Sequence, residues 1–189
     1  MAIMIDLETI GLVPECMILS CGAIAFEPRT NTVYDDTGTT WWPSLEEQRE
    51  LGRLEDPRTI EWWTNQAPEA QATSWAVSEE KRIELTKFYN DLCDWINTND
   101  QPYKVRKVWS NGAGFDIAIL ENLFRMLKVN PPWAYWNIRD TRTVWDLTPS
   151  VKQGQNLLAH DALSDATEQA ERVCRSYLLL VGVDTSDAE

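Results

Sequence analysis

The chain has 189 residues, 43% of them hydrophobic and 25% charged, so it can bury a core as one domain spanning residues 1–189. No run approaches the roughly 20 apolar residues of a membrane span, and we expect neither a signal peptide nor a membrane partner. A cytoplasmic protein is therefore expected. The formal charge of −13 argues against a polyanionic partner, unless some carboxylates hold divalent cations that attract phosphate.

The first part of the chain predicts three β-strands. Residues 2–7 and 18–26 are apolar runs rich in β-compatible side chains, separated by a loop that contains Gly11 and Pro14. A third strand is predicted from residues 32–34 and 39–42, with Asp35, Asp36 and Gly38 interrupting it as turn residues.

Helices are predicted next along the chain. Ser44 and Glu47 have the spacing of a capping box, and Asp56 followed by Pro57 is typical of a helix start. A longer amphipathic helix follows Ser78. Its apolar stripe consists of Leu85, Phe88, Tyr89, Leu92 and Ile96.

The second half of the chain alternates strands and helices. A strand is predicted at residues 105–110, a Gly-rich turn at 111–114, and a helix that begins at Asp116. A further segment covers residues 139–147, and a long helix is predicted at 162–180.

Four carboxylates and the only histidine occupy the ends of these elements. Asp6 and Glu8 lie two residues apart on a strand, so both side chains leave the same face, where a cation would relieve their repulsion. Asp116 begins a helix after a turn that would let a ligand approach. Taken singly, each has a structural explanation: a strand end in solvent for the pair, and helix capping for Asp116.

His160 and Asp165 would lie roughly 140° apart on a continuous helix and would not share a face. If the helix begins near Ala162, His160 instead lies in the preceding loop and can fold over the pocket that Asp165 enters. A lone histidine is more often structural or exposed than catalytic, so its neighbourhood decides its role.

In order, Asp6-Leu7-Glu8, Asp116 and the stretch from His160 to Asp165 resemble the three motifs of the DEDDh exonucleases. That family includes proofreading exonuclease subunits, RNase T and oligoribonuclease. Residues 59–66 and 139–143 are similar to the branch of bacteriophage DexA-type and related small exonucleases, some of which act on RNA.

The resemblance implies an α/β, ribonuclease H-like fold, with a central mixed β-sheet flanked by α-helices. It also implies two divalent cations, Mg²⁺ or Mn²⁺, held by Asp6, Glu8, Asp116 and Asp165, with His160 as the general base. Oxygen ligands suit such ions, and the sequence offers no Cys/His cluster for zinc.

The implied activity is 3′→5′ hydrolysis of single-stranded DNA or RNA, with DNA slightly favoured, to nucleoside 5′-monophosphates. A homodimer is a further expectation from the family, and the location would be the host cytoplasm if the chain is phage-encoded. Candidate substrate-binding residues are Thr9, Trp63, Gln66, Asn111, Phe115, Arg139 and Arg142.

Three alternatives stay open from the sequence. The chain could be an exoribonuclease, a phosphodiesterase for small nucleotides, or a non-catalytic module that binds nucleic acid or protein on the same fold. For the adjacent tryptophans Trp62 and Trp63, packing of one ring in the core explains the pattern as well as base stacking does.

Overall fold

A mixed β-sheet forms the centre of the molecule. The computed structural model describes residues 1–98, 107–154 and 159–182. The strands in this part are β1 (Ala2–Thr9), β2 (Ile18–Glu27), β3 (Thr32–Trp41), β4 (Lys107–Ser110) and β5 (Ile138–Asp140). Their order across the five-stranded sheet is β3-β2-β1-β4-β5. The first three pair antiparallel, whereas β4 and β5 continue the sheet parallel to β1. This confirms the predicted α/β class and mixed sheet.

The third strand is continuous where the sequence predicts an interruption. Ala23 and Ala25 of β2 pair with Thr39 and Tyr34, so the intervening residues 35–38 form a bulge within β3. Thr37 closes the bulge, because its Oγ1 accepts a hydrogen bond from Ala25 N at 2.9 Å and donates to Tyr34 O at 2.7 Å. The turn residues therefore widen the strand locally without ending it.

The described part of the chain also contains seven α-helical segments. They are α1 (Leu45–Glu50), α2 (Pro57–Thr64), α3 (Pro68–Ala70), α4 (Leu85–Thr98), α5 (Asp116–Met126), α6 (Thr141–Leu147) and α7 (Ala162–Val181). Ser44 and Asp56 cap α1 and α2 as predicted, each accepting a backbone N–H in the first turn. Of the strand predicted at 105–110, the first two residues lie outside the described ranges.

The core has two layers, one on each face of the sheet. Ile3 and Ile5 face the apolar stripes of α4 and α5, whereas Ala2 and Met4 face α7. The sheet thus has helices on both sides, and the end of β1 emerges between them. Over the described ranges, we find no helix whose length and apolar character would let it cross a membrane.

Candidate active site

Asp6 and Glu8 lie near the C-terminal end of β1, on the face of the sheet that α7 covers. Side chains alternate along a strand, so these carboxylates continue the row begun by Ala2 and Met4. Leu7, between them, points into the opposite core layer. Glu8 is only 8% exposed, whereas Asp6 is partly exposed.

A glycine on the neighbouring strand lets α7 approach β1. Gly22 pairs with Asp6 across the sheet, and a Cβ built on Gly22 would lie 2.2 Å from the carbonyl carbon of Ala162. No side chain fits there, so the backbone that opens α7 rests directly on β2. The first turns of α7 are therefore held above the end of β1.

His160 lies in the turn that precedes α7, as predicted for a helix that begins at Ala162. The turn is tight: His160 has φ of 64°, in the left-handed region, and its backbone N donates to Asp165 Oδ2 at 3.1 Å. Its ring meets the edge of Trp62 with centroids 4.8 Å apart. One potential ligand atom each from Glu8, His160 and Asp165 all lie within 4.8 Å of one another.

Asp116 reaches the same site from the opposite layer. It is the first residue of α5, and it is 3% exposed. Its Oδ1 accepts a hydrogen bond from Leu7 N at 3.2 Å, which ties α5 to β1 between the two strand carboxylates. All five residues singled out from the sequence line one cleft of about 310 Å³.

The crowding of carboxylates makes their ionisation costly. Burial, followed by the charges of Asp165 and Asp116, raises the pKa of Glu8 to about 8. Burial also raises the pKa of Asp116 to about 7 and holds the pKa of Asp6 well above its usual range. The neighbouring carboxylates add to the shift at Asp6, and a hydrogen bond from Gln169 opposes it.

The same donor set suits divalent cations. Hard ions such as Mg²⁺ and Mn²⁺ prefer carboxylate oxygens, and bound cations would offset the repulsion that raises these pKa values. Asp6, Glu8, Asp116 and Asp165 could supply the oxygens. His160 lies near enough to Glu8 and Asp165 to act as a base beside the ions or as a further ligand.

Four predicted substrate residues lie along the cleft or in the cavity beside it. Asn111 and Arg142 line the acidic cleft, where Arg142 Nε donates to Asn111 Oδ1 at 3.2 Å. Thr9 lines a neighbouring cavity of about 490 Å³, and Phe115 lines both spaces.

The other three have contacts that stabilise the fold. Trp63 borders the second cavity but is only 1% exposed, and its Nε1 donates to Thr9 O at 2.9 Å, so most of the ring packs in the core and its contact with substrate stays a prediction. The Gln66 side chain donates to Trp62 O, and Arg139 donates to the carbonyls of Trp136 and Ile138. The structure brings neither Gln66 nor Arg139 to the cavities described above.

Three residues that were not among the sequence candidates also line or contact the site, and for Trp62 the sequence had left a stacking role open. Trp62, next to the buried Trp63, is 42% exposed and lines the second cavity. Gln169 Nε2 donates to Asp6 Oδ1 at 2.7 Å, and Arg172 lines the far end of the cleft. Gln169 and Arg172 follow Asp165 by four and seven residues, so helical periodicity is a signal that could have found them.

We next compared the chain with known proteins. A family model described as the 3′-5′ exoribonuclease Rv2179c-like domain matches residues 1–177. An exodeoxyribonuclease of Enterobacteria phage T4 is 28% identical over 98% of this chain and 92% of its own length.

Solved structures share the fold at low sequence identity. The nuclease domain of 3′hExo, a DEDDh family member solved with rAMP, is 13% identical, with a TM-score of 0.63 over 96% of this chain and 92% of its own. Pop2p of S. pombe, solved with Mg²⁺ and Mn²⁺, is 13% identical, with a TM-score of 0.61 over 98% of this chain and 86% of its own.

The family match identifies the class of this protein as a 3′-5′ exonuclease, and its mixed sheet has the ribonuclease H-like fold of solved DEDDh nucleases. More narrowly, the chain belongs to the Rv2179c-like 3′-5′ exoribonuclease domain family. Among the alternatives left by the sequence, a non-catalytic module is thereby set aside.

Proposed function

We propose that this exonuclease removes nucleotides one at a time from the 3′ end of single-stranded nucleic acid and releases nucleoside 5′-monophosphates. The observation that carries the proposal is the convergence of four carboxylates and one imidazole on a single cleft beside a cavity that shares Glu8 with it. An exonuclease must place the terminal nucleoside on one side of the scissile phosphate and the rest of the strand on the other. The cavity would take the terminal nucleoside, and the neighbouring cleft would take the scissile phosphate and the strand that follows it.

The proposed division of labour assigns the carboxylates to two divalent cations. Asp6, Glu8, Asp116 and Asp165 would together hold these ions through their carboxylate oxygens. When bound, such ions activate water and stabilise the leaving 3′ oxygen. Gln169 would keep Asp6 oriented through its 2.7 Å hydrogen bond.

His160 would take the proton from the attacking water. The ring approaches the carboxylates from the loop, and Trp62 packs against it edge to face at 4.8 Å, which limits its rotation. A positioned general base of this kind contributes about 10² to 10⁴ in rate. The left-handed backbone at His160 belongs to this arrangement, because it turns the ring back over the cleft.

The cavity of about 490 Å³ would receive the terminal nucleoside. Trp62, Leu12 and Phe115 offer apolar and aromatic surfaces for a base, and Leu12 is 72% exposed. The cavity shares Leu7, Glu8 and Phe115 with the acidic cleft, so a base bound there would leave its phosphate beside the carboxylates.

DNA is our first choice of substrate and RNA the second. The exodeoxyribonuclease of phage T4 matches nearly the whole chain, which favours DNA. The family model is named for an exoribonuclease, which favours RNA. Recognition of the 2′-hydroxyl separates the two, and matched DNA and RNA oligonucleotides of one sequence measure it directly.

The test is a cleavage assay on a single-stranded oligonucleotide labelled at its 5′ end. With Mg²⁺ or Mn²⁺ the labelled strand should shorten stepwise, EDTA should stop the reaction, and a circular strand should resist it. Asp6→Asn should abolish cleavage, whereas Asp36→Asn, which changes an exposed carboxylate in the β3 bulge, should leave it intact. Absence of a ladder with either metal, or full activity of Asp6→Asn, would overturn the proposal. A dinucleotide cleaved in preference to longer strands would instead identify a small-nucleotide phosphodiesterase.

A further inference from the structure

The cleft contains a basic residue that neither the sequence motifs nor the proposed chemistry uses. On α7, Asp165, Glu168, Gln169 and Arg172 follow one another at helical spacing and all line the cleft. Arg172 is seven residues beyond Asp165, so its backbone lies roughly 10 Å farther along the helix axis. It therefore marks the end of the cleft away from His160 and Trp62.

The Arg172 guanidinium is held in place by two contacts. Its central carbon lies 4.0 Å from the ring centroid of Trp145, and its Nε donates to Val151 O at 3.3 Å. Stacking of this kind fixes the plane of a guanidinium and leaves the terminal nitrogens as donors. In the described ranges, those nitrogens have neither a hydrogen-bond acceptor nor a carboxylate within ion-pair distance.

The lack of a carboxylate partner sets Arg172 apart from its neighbour on the helix. Arg175 lies one turn further along α7 and pairs with Glu168 and Glu171 at 3.7 and 3.5 Å. Glu168, the acidic residue of α7 that lines the cleft one turn before Arg172, also accepts a hydrogen bond from Gly154 N at 2.7 Å. In a chain with a charge of −13, an ordered arginine without an acidic partner in a cleft is suited to an anionic ligand.

We propose that Arg172, stacked on Trp145, binds a backbone phosphate of the strand on the 5′ side of the scissile bond. The inference rests on the proposed function and adds the path of the strand. The cavity at Trp62 shares Glu8 with the cleft, whereas Arg172 lines the cleft alone, so we place the carboxylates between Trp62 and Arg172. If the terminal nucleoside occupies the cavity, the remaining strand leaves past Arg172.

The experiment pairs a protein variant with a neutralised phosphate in the substrate. Wild type and Arg172→Gln are compared on a 5′-hydroxyl dinucleotide, which has only the scissile phosphate, and on longer strands. Loss of one charge-assisted contact should lower kcat/KM about 10- to 100-fold on the longer strands and within about twofold on the dinucleotide. A single methylphosphonate at one of the two phosphates upstream of the scissile bond should cost the wild type a similar factor. The same replacement should cost Arg172→Gln nothing further.

Two other variants separate this role from a structural one. Arg125→Gln removes an exposed cation from α5, outside the cleft, and should act like wild type on every substrate. Arg172→Lys keeps the charge without the planar stacking and should show an intermediate loss on long strands only. Equal losses on the dinucleotide and on longer strands would overturn the inference, as would full methylphosphonate sensitivity in Arg172→Gln. Both outcomes leave the exonuclease assignment standing, whereas a wild type that cleaves none of these substrates refutes the proposed function itself.

Discussion

Removing the charge of Glu8 should stabilise the metal-free protein while it abolishes activity. Glu8 is 8% exposed, and burial among other carboxylates raises its pKa from an ordinary 4.5 to about 8. A raised carboxyl pKa means that the folded state binds the proton more tightly than the unfolded chain does. The stability contributed by this group is therefore complete below about pH 4.5 and is lost as pH rises toward 8.

The size of the effect follows from the same values. At pH 7 the unfolded chain has Glu8 ionised while the fold holds it mostly protonated, which costs about 3 kcal/mol relative to acid conditions. Glu8→Gln has no proton to lose and avoids this cost. In a chain of this size, about 3 kcal/mol corresponds to a rise in Tm of roughly 6 to 12 °C.

Thermal unfolding in EDTA between pH 5 and 8.5 measures this difference. The gap in Tm between Glu8→Gln and wild type should widen as pH rises, and saturating Mg²⁺ or Mn²⁺ should narrow it by stabilising the wild type more. Glu61→Gln, at an exposed position on α2, is the matched control and should follow the wild type. A Glu8→Gln protein that is less stable than wild type at pH 8 in EDTA would refute the reasoning.

Three further predictions concern the site. His160→Ala should lower kcat about 10² to 10⁴-fold and keep the metal-induced rise in Tm; loss of that rise would make His160 a ligand instead of a base. Gly22→Ala should cost about 3 kcal/mol, because its Cβ would meet the Ala162 backbone, and should reduce activity by displacing α7; an unchanged Tm would contradict this. Gln169→Leu should reduce kcat/KM about tenfold without a large change in Tm, because Asp6 loses its 2.7 Å donor; unaltered kinetics would leave Gln169 without a role.

The sequence predicted the elements that carry the site because their signals are local. The apolar run of β1, the helix start at Asp116 and the stripe of α7 depend on periodicities that tertiary contacts reinforce. How α7 packs against the sheet could not be predicted from such local signals. The contact between Gly22 and Ala162 joins residues 140 positions apart, and only the assembled sheet shows why glycine stands there.

The different exposure of Trp62 and Trp63 was unpredictable for a similar reason. Trp62 and Trp63 are adjacent on α2, about 100° apart around the helix, and their residue types are identical. Which ring enters the core depends on where α2 lies against β1, through the bond from Trp63 Nε1 to Thr9 O. The bulge in β3 likewise depends on a partner strand, because the pairing with β2 keeps Asp35 and Asp36 inside a strand that their own preferences would interrupt.

The charge of −13 leads to a last prediction, that the protein binds nucleic acid only with divalent cations. Above about pH 8, where Glu8 and Asp116 are ionised in the metal-free fold, the cleft carboxylates outnumber the two cleft arginines, Arg142 and Arg172, so the cleft repels phosphate. Two divalent ions would reverse that sign at the point where the scissile phosphate must lie. Fluorescence anisotropy of a labelled single strand at about pH 8.5 with His160→Ala, which slows turnover, should show at least about tenfold tighter binding in Mg²⁺ than in EDTA. The tighter binding in Mg²⁺ should disappear in the double variant that carries both His160→Ala and Asp6→Asn. Equal affinity in EDTA would mean that the arginines alone attract the strand, and the cations would then serve the chemistry without recruiting the substrate.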